Sequence, residues 1–309
     1  MDYFGILERS FAITRRYRVL WLFGFLLALF SGGGGGSNGV QYTFQGDESP
    51  FSQIGAPPGF GVLVILTIVM IVIALAILAA VIKYVSQTSL IGLVGEIEEG
   101  QTPTVRHGFD IGWSRSSLRL FGVDITLFVP TMLILAILGA IIAVPFLAFS
   151  VGDQGGPGPL VFALLCCLIF LVPLIIALFV ALDLFQKFVY RQVVLAGDGV
   201  LAGIRHGYRL IRANLGQVAA MWLIMFVVGL LWAAVNLIIG LVAVAIVGGP
   251  AALMYAIFNK SILAAILGAL PFLLVTILAF AAINALYTVF TSTVWTLTYL
   301  ELPNRISDQ

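Results

Sequence analysis

Five residues of this chain carry the side chains from which a polar site in an apolar protein is built: Lys83, Gln87, Asp124, Asp183 and Lys187. An ionisable group at the centre of a hydrocarbon-spanning helix costs about 2.5 to 3.5 kcal/mol on insertion scales, so such groups pair or line a pathway. Asp183 and Lys187 lie four residues apart, which puts carboxylate and ammonium on one helix face. Asp124 falls between one and two turns into an apolar run that begins at Leu118, and Lys83 and Gln87 stand at the matching level of an earlier run. Two readings follow: a polar pocket open to the cytoplasm, or interface-level pairs that hold a helix bundle together. Asn236 and Asn284 lie deeper in later runs and are expected to hydrogen bond between helices, at about 0.6 kcal/mol each.

A second set of residues points at lipid headgroups. Arg205, Arg209 and Arg212 form one basic stripe, beside an apolar face of Ile204, Tyr208, Ile211 and Leu215. Val105, Phe109 and Trp113 fall at the same helical intervals near Arg106, Arg115 and Arg119, and Phe4, Leu7 and Phe11 do so near the N-terminus. An apolar face flanked by arginine suits a helix lying in the headgroup plane and drawn to anionic lipid. The alternative is that these arginines only fix which side of the membrane each joint occupies.

No enzyme motif accompanies them: His-Glu-x-x-His, Gly-x-Ser-x-Gly and Gly-x-x-x-x-Gly-Lys are all absent from the sequence. Gly32 to Gly36 follow no strand and precede no lysine, so they read as an outer loop. Cys166 and Cys167 adjoin inside an apolar run and read as small fillers. His107 and His206 are the only histidines, and with no Cys or carboxylate at ligand spacing they make a poor metal site. A catalytic activity, a cofactor, a metal and a nucleic-acid partner are therefore not expected.

The elements that must position these residues are helices in a membrane. With 61% hydrophobic and 9% charged residues, and a mean hydropathy of +1.13, the chain holds more apolar side chains than a soluble core hides. Apolar runs at about Val19 to Phe30, Phe60 to Ile82, Leu118 to Phe149, Leu160 to Leu182, Val218 to Val247 and Ile262 to Leu286 predict six transmembrane helices. They are apolar all round, which excludes the alternating strands of a membrane barrel. The first run has 12 residues between Arg18 and Ser31 and also fits a signal peptide; it is kept as a span because no clear cleavage site follows. Ala251 to Phe258 is too short to cross and is expected on the outer surface. Pro130, Pro145, Pro173 and Pro271 each favour a kink.

Basic residues alternate across the joints. Arg9, Arg15, Arg16 and Arg18 precede the first run; Lys83, Arg106, Arg115 and Arg119 lie at the second joint; Lys187, Arg191, Arg205, Arg209 and Arg212 lie at the fourth. Ser31 to Gly59 and Ser150 to Pro159 hold none, the fifth joint has Lys260 alone and the tail Arg305 alone. Cytoplasmic joints hold the lysine and arginine, so both termini are expected in the cytoplasm of a cell-membrane protein.

Arg106-His107-Gly108-Phe109 recurs 99 residues later as Arg205-His206-Gly207-Tyr208, with a fainter Arg9-Ser10-Phe11 upstream. The single membrane domain, 1–309, then reads as three helical-hairpin units, 1–99, 100–198 and 199–309, each opened by an interfacial amphipathic helix. Leu90, Leu93, Val94 and Ile97 continue the second helix past Lys83 into the cytoplasm, where Glu96, Glu98 and Glu99 oppose its dipole and need cations from the interfacial helices.

The stretch Arg15 to Phe30, RRYRVLWLFGFLLALF before a glycine-rich loop, and the Arg-His-Gly-aromatic helices ahead of later spans resemble bacterial multi-pass proteins related to the membrane domain of glycerophosphoryl diester phosphodiesterases. Two-part members of that group join the membrane portion to a soluble phosphodiesterase domain with acidic and His residues around a metal. Beside its spans this chain has no room for such a domain, so the resemblance implies neither that activity nor a catalytic residue. The reading that emerges is an all-α polytopic bundle, non-enzymatic, that binds or organises lipids or holds a partner protein through a basic cytoplasmic face. A small-solute transporter with a polar pocket near the cytoplasmic side is the alternative.

Overall fold

The chain is described here by a computed structural model over residues 1–30, 60–151, 157–258 and 262–302. Every element among the described residues is a helix: α1 (Tyr3–Arg16), α2 (Val19–Phe30), α3 (Phe60–Glu98), α4 (Val105–Gly112), α5 (Arg115–Val151), α6 (Pro157–Leu195), α7 (Val200–Ala213), α8 (Leu215–Ile257) and α9 (Ile262–Glu301). The glycine run at Gly32 to Gly36, the joint between α5 and α6 (residues 152–156), Lys260 and Arg305 lie outside the described residues.

Among the described residues, five helical segments are long and apolar enough to cross a membrane: Leu63–Glu98, Arg115–Ala140, Leu171–Leu195, Leu215–Ile257 and Ile266–Glu301. The protein is therefore an integral membrane protein with several spans. α2 has 12 residues, a rise of about 18 Å against a hydrocarbon core of about 30 Å. α8, at 43 residues, runs about 64 Å and continues without a break through Ala251 to Ile257. The short outer segment expected there is the end of α8, because Pro250 is carried inside the helix rather than ending it. α6 and α9 likewise run through Pro173 and Pro271.

The helices group into two compact units. One comprises Tyr3–Gly112 and Trp222–Val294; the other comprises Met1–Asp2, Trp113–Met221 and the described part of Trp295–Gln309. They are called the α1–α4 unit and the α5–α7 unit below.

In the α1–α4 unit, α2 and α4 both pack on α3. The apolar half of α3, from Leu63 to Val81, is largely exposed, whereas Leu90, Ile91, Leu93 and Val94 on its second half are fully buried. Exposed apolar surface on this scale belongs in lipid, and the protein's own packing lies toward the polar end of the helix. α3 ends where Gly100 takes a φ of 84°: its N–H bonds Ile97 O at 3.0 Å and Gln101 N–H bonds Glu96 O at 3.0 Å, closing the last turn in a left-handed glycine cap. Thr104 then caps α4, its Oγ1 accepting from His107 N–H at 3.3 Å.

In the α5–α7 unit, α6 packs on α5 and α7, and α5 also meets α7. Gly197, at φ 73°, turns the chain from α6 toward α7. Ser114 caps α5 by accepting from Ser116 N–H at 3.2 Å, and Asn214 joins α7 to α8, its carbonyl accepting from Gln217 and Val218 N–H at 3.0 and 3.1 Å.

Candidate functional site

The α5–α7 unit gathers polar side chains around the end of α6. Asp124 on α5 accepts from Gln186 Nε2 at 2.5 Å and from the Tyr190 hydroxyl, and Gln186 Nε2 also reaches Tyr190 at 2.6 Å. Gln186 and Tyr190 are one turn apart on α6, so a single face of that helix presents two donors to one carboxylate. One residue over from that face, Lys187 Nζ donates to Asp183 Oδ2 at 2.6 Å. Further along, Gln192 donates from Nε2 to Asp198 Oδ2 at 3.0 Å and accepts at Oε1 from the Tyr299 hydroxyl at 2.7 Å, which ties α6 to the end of α9 and to the turn before α7.

Three of the five pocket residues expected from sequence, Asp124, Asp183 and Lys187, thus lie in this unit, each with a polar partner. Lys83 and Gln87 belong to the α1–α4 unit, where the Lys83 ammonium stands 5.1 Å from the centre of the Tyr84 ring. In that same unit the two deep asparagines meet as expected: Asn284 Nδ2 donates to Asn236 Oδ1 at 3.2 Å, and Trp232 Nε1 donates to Asn284 Oδ1 at 3.2 Å. Trp232 also stacks on Tyr287 with ring centres 4.9 Å apart.

The candidate headgroup arginines divide by environment. Arg106 on α4, Arg115 at the start of α5, and Arg205, Arg209 and Arg212 on α7 are exposed. Arg119 is occupied at a helix end, its Nη1 donating to Gly197 O at 2.6 Å and Asp198 O at 3.3 Å. Both carbonyls belong to the turn between α6 and α7, so Arg119 ties α5 to that turn, a structural task that its sequence position did not show.

All three helices that carry these motifs, or stand ahead of them, are two-faced in the same way. α1 buries Ser10, α4 buries Gly108 and Gly112, and α7 buries Gly203 and Gly207. A Cβ on Gly108 would lie 2.6 Å from two carbons of the Phe23 ring, and one on Gly203 would lie 2.7 Å from Val193 Cγ2, so small residues set how closely these helices dock. The next residue in each helix is an exposed aromatic: Phe11 is 62%, Tyr208 56% and Phe109 41% exposed, the last with its ring centre 5.1 Å from that of buried Phe23. The preceding residue in each is basic and meets a carboxylate. Arg9 Nη1 is 3.8 Å from Glu98, His107 Nε2 is 2.9 Å from Glu96, and His206 Nδ1 is 2.8 Å from Asp198.

Of the cations that these carboxylates were expected to need, Glu98 finds the Arg9 guanidinium, while Glu96 hydrogen bonds the His107 ring. Sequence reasoning judged the histidines to lack a carboxylate at ligand spacing; folding supplies one to each, across 11 residues for His107 and 8 for His206. Sequence reasoning missed Gln186, Tyr190, Gln192 and Asp198. The four-residue spacing of Gln186 and Tyr190 was visible, but their shared partner, 62 and 66 residues away, was not.

No curated protein and no solved structure matches the chain. A family model does, across residues 9–302, so it takes in α2 to α9 and the motif-bearing part of α1. The chain belongs to that family, a family of unknown function designated DUF7544.

Proposed function

We propose that this protein is a non-enzymatic membrane module that binds or organises anionic lipid through a basic cytoplasmic face. The observation that carries the reading is the build of α7. Its glycine face is used up in packing, Leu201 and Tyr208 and the adjoining Leu215 stay exposed, and Arg205, Arg209 and Arg212 are exposed on the same helix. An exposed apolar strip beside three guanidinium groups fits the headgroup–acyl boundary, where burial of the strip and attraction to anionic lipid act together. α4 offers the same chemistry on a smaller scale, with Phe109, exposed Arg106 and the adjoining Trp113.

In this reading the chain crosses the cell membrane six times, the short α2 being completed by flanking residues. Both termini lie in the cytoplasm, and three hairpin units repeat. Support comes from the alternation of basic joints and from the shared pattern of basic, small and aromatic residues in α1, α4 and α7. The same face would serve a partner protein if lipid is not its ligand.

The test is lipid retention. Protein purified in mild detergent and measured by native mass spectrometry should carry anionic phospholipid, and changing Arg205, Arg209 and Arg212 together to Gln should remove most of it. Equal anionic lipid on wild type and variant would refute the reading. The transporter alternative rests on Asp124 and Asp183. Substrate flux in liposomes that stops with Asp124→Asn or Asp183→Asn would favour it, although both carboxylates already have the side-chain partners that a purely structural role needs.

A further inference from the structure

Beyond its apolar run, α6 carries two cations one turn apart, Lys187 and Arg191, and both meet the last turns of α9. The Lys187 ammonium stands 5.0 Å from the centre of the Trp295 ring. Arg191 Nε donates to Thr296 Oγ1 at 3.2 Å, and Phe188 packs edge-on against the same indole at 5.9 Å between ring centres. This is an interior position: Arg191 is 3% exposed and Trp295 1%. The indole N–H of Trp295 is buried and has no acceptor among the described residues. Buried donors are almost always satisfied, and one that is not calls for an explanation such as a water or a ligand.

Water would supply an acceptor and nothing more. The neighbours favour an anion, because an ammonium lies over the face of the ring whose N–H is unmet and a guanidinium is bound to the next residue of α9. Asp183, the carboxylate nearest Lys187 along the helix, is held by it at 2.6 Å and is itself exposed, so an incoming anion can exchange with it at the ammonium. We propose that the ends of α6 and α9 seat one oxyanion, with the Trp295 N–H and the Lys187 ammonium as its donors and the Arg191 guanidinium as a fixed positive charge beside it. Two sources carry that chemistry: the phosphate of a lipid headgroup, and free inorganic phosphate. The seat uses none of the exposed arginines of α7, so it stands or falls separately from the function proposed above.

The experiment uses the full chain in nanodiscs of zwitterionic phosphatidylcholine, titrated in separate arms with inorganic phosphate and with short-chain phosphatidate, binding being read by native mass spectrometry. One equivalent of at least one probe should bind. Trp295→Phe, which keeps a ring and removes the N–H, should weaken that equivalent by about tenfold, as expected for loss of one charge-assisted hydrogen bond. Lys187→Met, at a part-exposed side chain, should do the same and carries the test if the tryptophan variant misfolds. The Arg205→Gln, Arg209→Gln, Arg212→Gln variant should retain the equivalent even if it loses other lipid. Binding of inorganic phosphate identifies a soluble ligand, and binding of phosphatidate alone identifies a headgroup. Failure of both probes, or unchanged binding in Trp295→Phe and Lys187→Met, overturns the proposal.

Discussion

Asp124 is held by two donors from one face of α6, and that arrangement predicts how the site responds to substitution. Tyr190→Phe removes one donor while keeping the ring, and should lower stability by about 1.5–3 kcal/mol, as for other hydrogen bonds to a charged group. Thermal unfolding in detergent measures it; an unchanged midpoint would mean that the tyrosine hydroxyl contributes nothing. Asn284→Leu should cost about as much, because it leaves the Trp232 N–H without its acceptor and strips Asn236 of a donor. That exceeds the 0.6 kcal/mol expected for an average intramembrane pair, since two bonds are lost. At this scale the sequence named both partners only where they share a helix, and for Asn236 and Asn284 it foresaw bonding between helices without naming the partner. Asp183 and Lys187 follow from their four-residue spacing, whereas Asp124 with Tyr190 depends on how α5 and α6 register, which local periodicity does not specify.

At the scale of the element, the Arg-His-Gly-aromatic motif is a helix with three jobs on three faces. The basic residue meets a carboxylate, the glycine lets the helix sit close to its neighbour, and the aromatic is left outward. A methyl group on Gly112 would lie 2.7 Å from the carbonyl oxygen of Val85, so Gly112→Ala must push α4 off α3 and should cost about 1–3 kcal/mol, typical of overpacking. Gly240→Ala, in the interior of α8 with nothing within 4 Å, is the matched control and should gain about 0.5–1 kcal/mol from helix propensity. Equal melting shifts for the two variants would refute the close-docking account. The existence of α1, α4 and α7 was legible, since their apolar residues recur at helical intervals before each long run. Which face packs was not: large apolar residues normally mark the buried side, and here glycine and serine share that side with Ile6, Ile13 and Leu210 while the aromatics stay exposed.

For the whole molecule, the five long apolar helices among the described residues make the chain an integral membrane protein, and these spans were plain in the sequence because about 20 apolar residues have few other uses. Their ends were less plain. α3 extends 16 residues past Ile82 to Glu98, where polar and apolar residues mix as in a soluble helix, and α8 continues through Pro250 into the segment from Ala251 that its short apolar run set apart. The proposed placement of α4 and α7 on the inner leaflet is the claim on which the lipid reading depends. It is tested most directly by single-cysteine labelling in intact cells, with Cys166 and Cys167 replaced by Ala and a cysteine introduced at Arg209. A membrane-impermeant maleimide should leave Arg209→Cys unmodified until the cells are permeabilised, and labelling of intact cells would contradict the account.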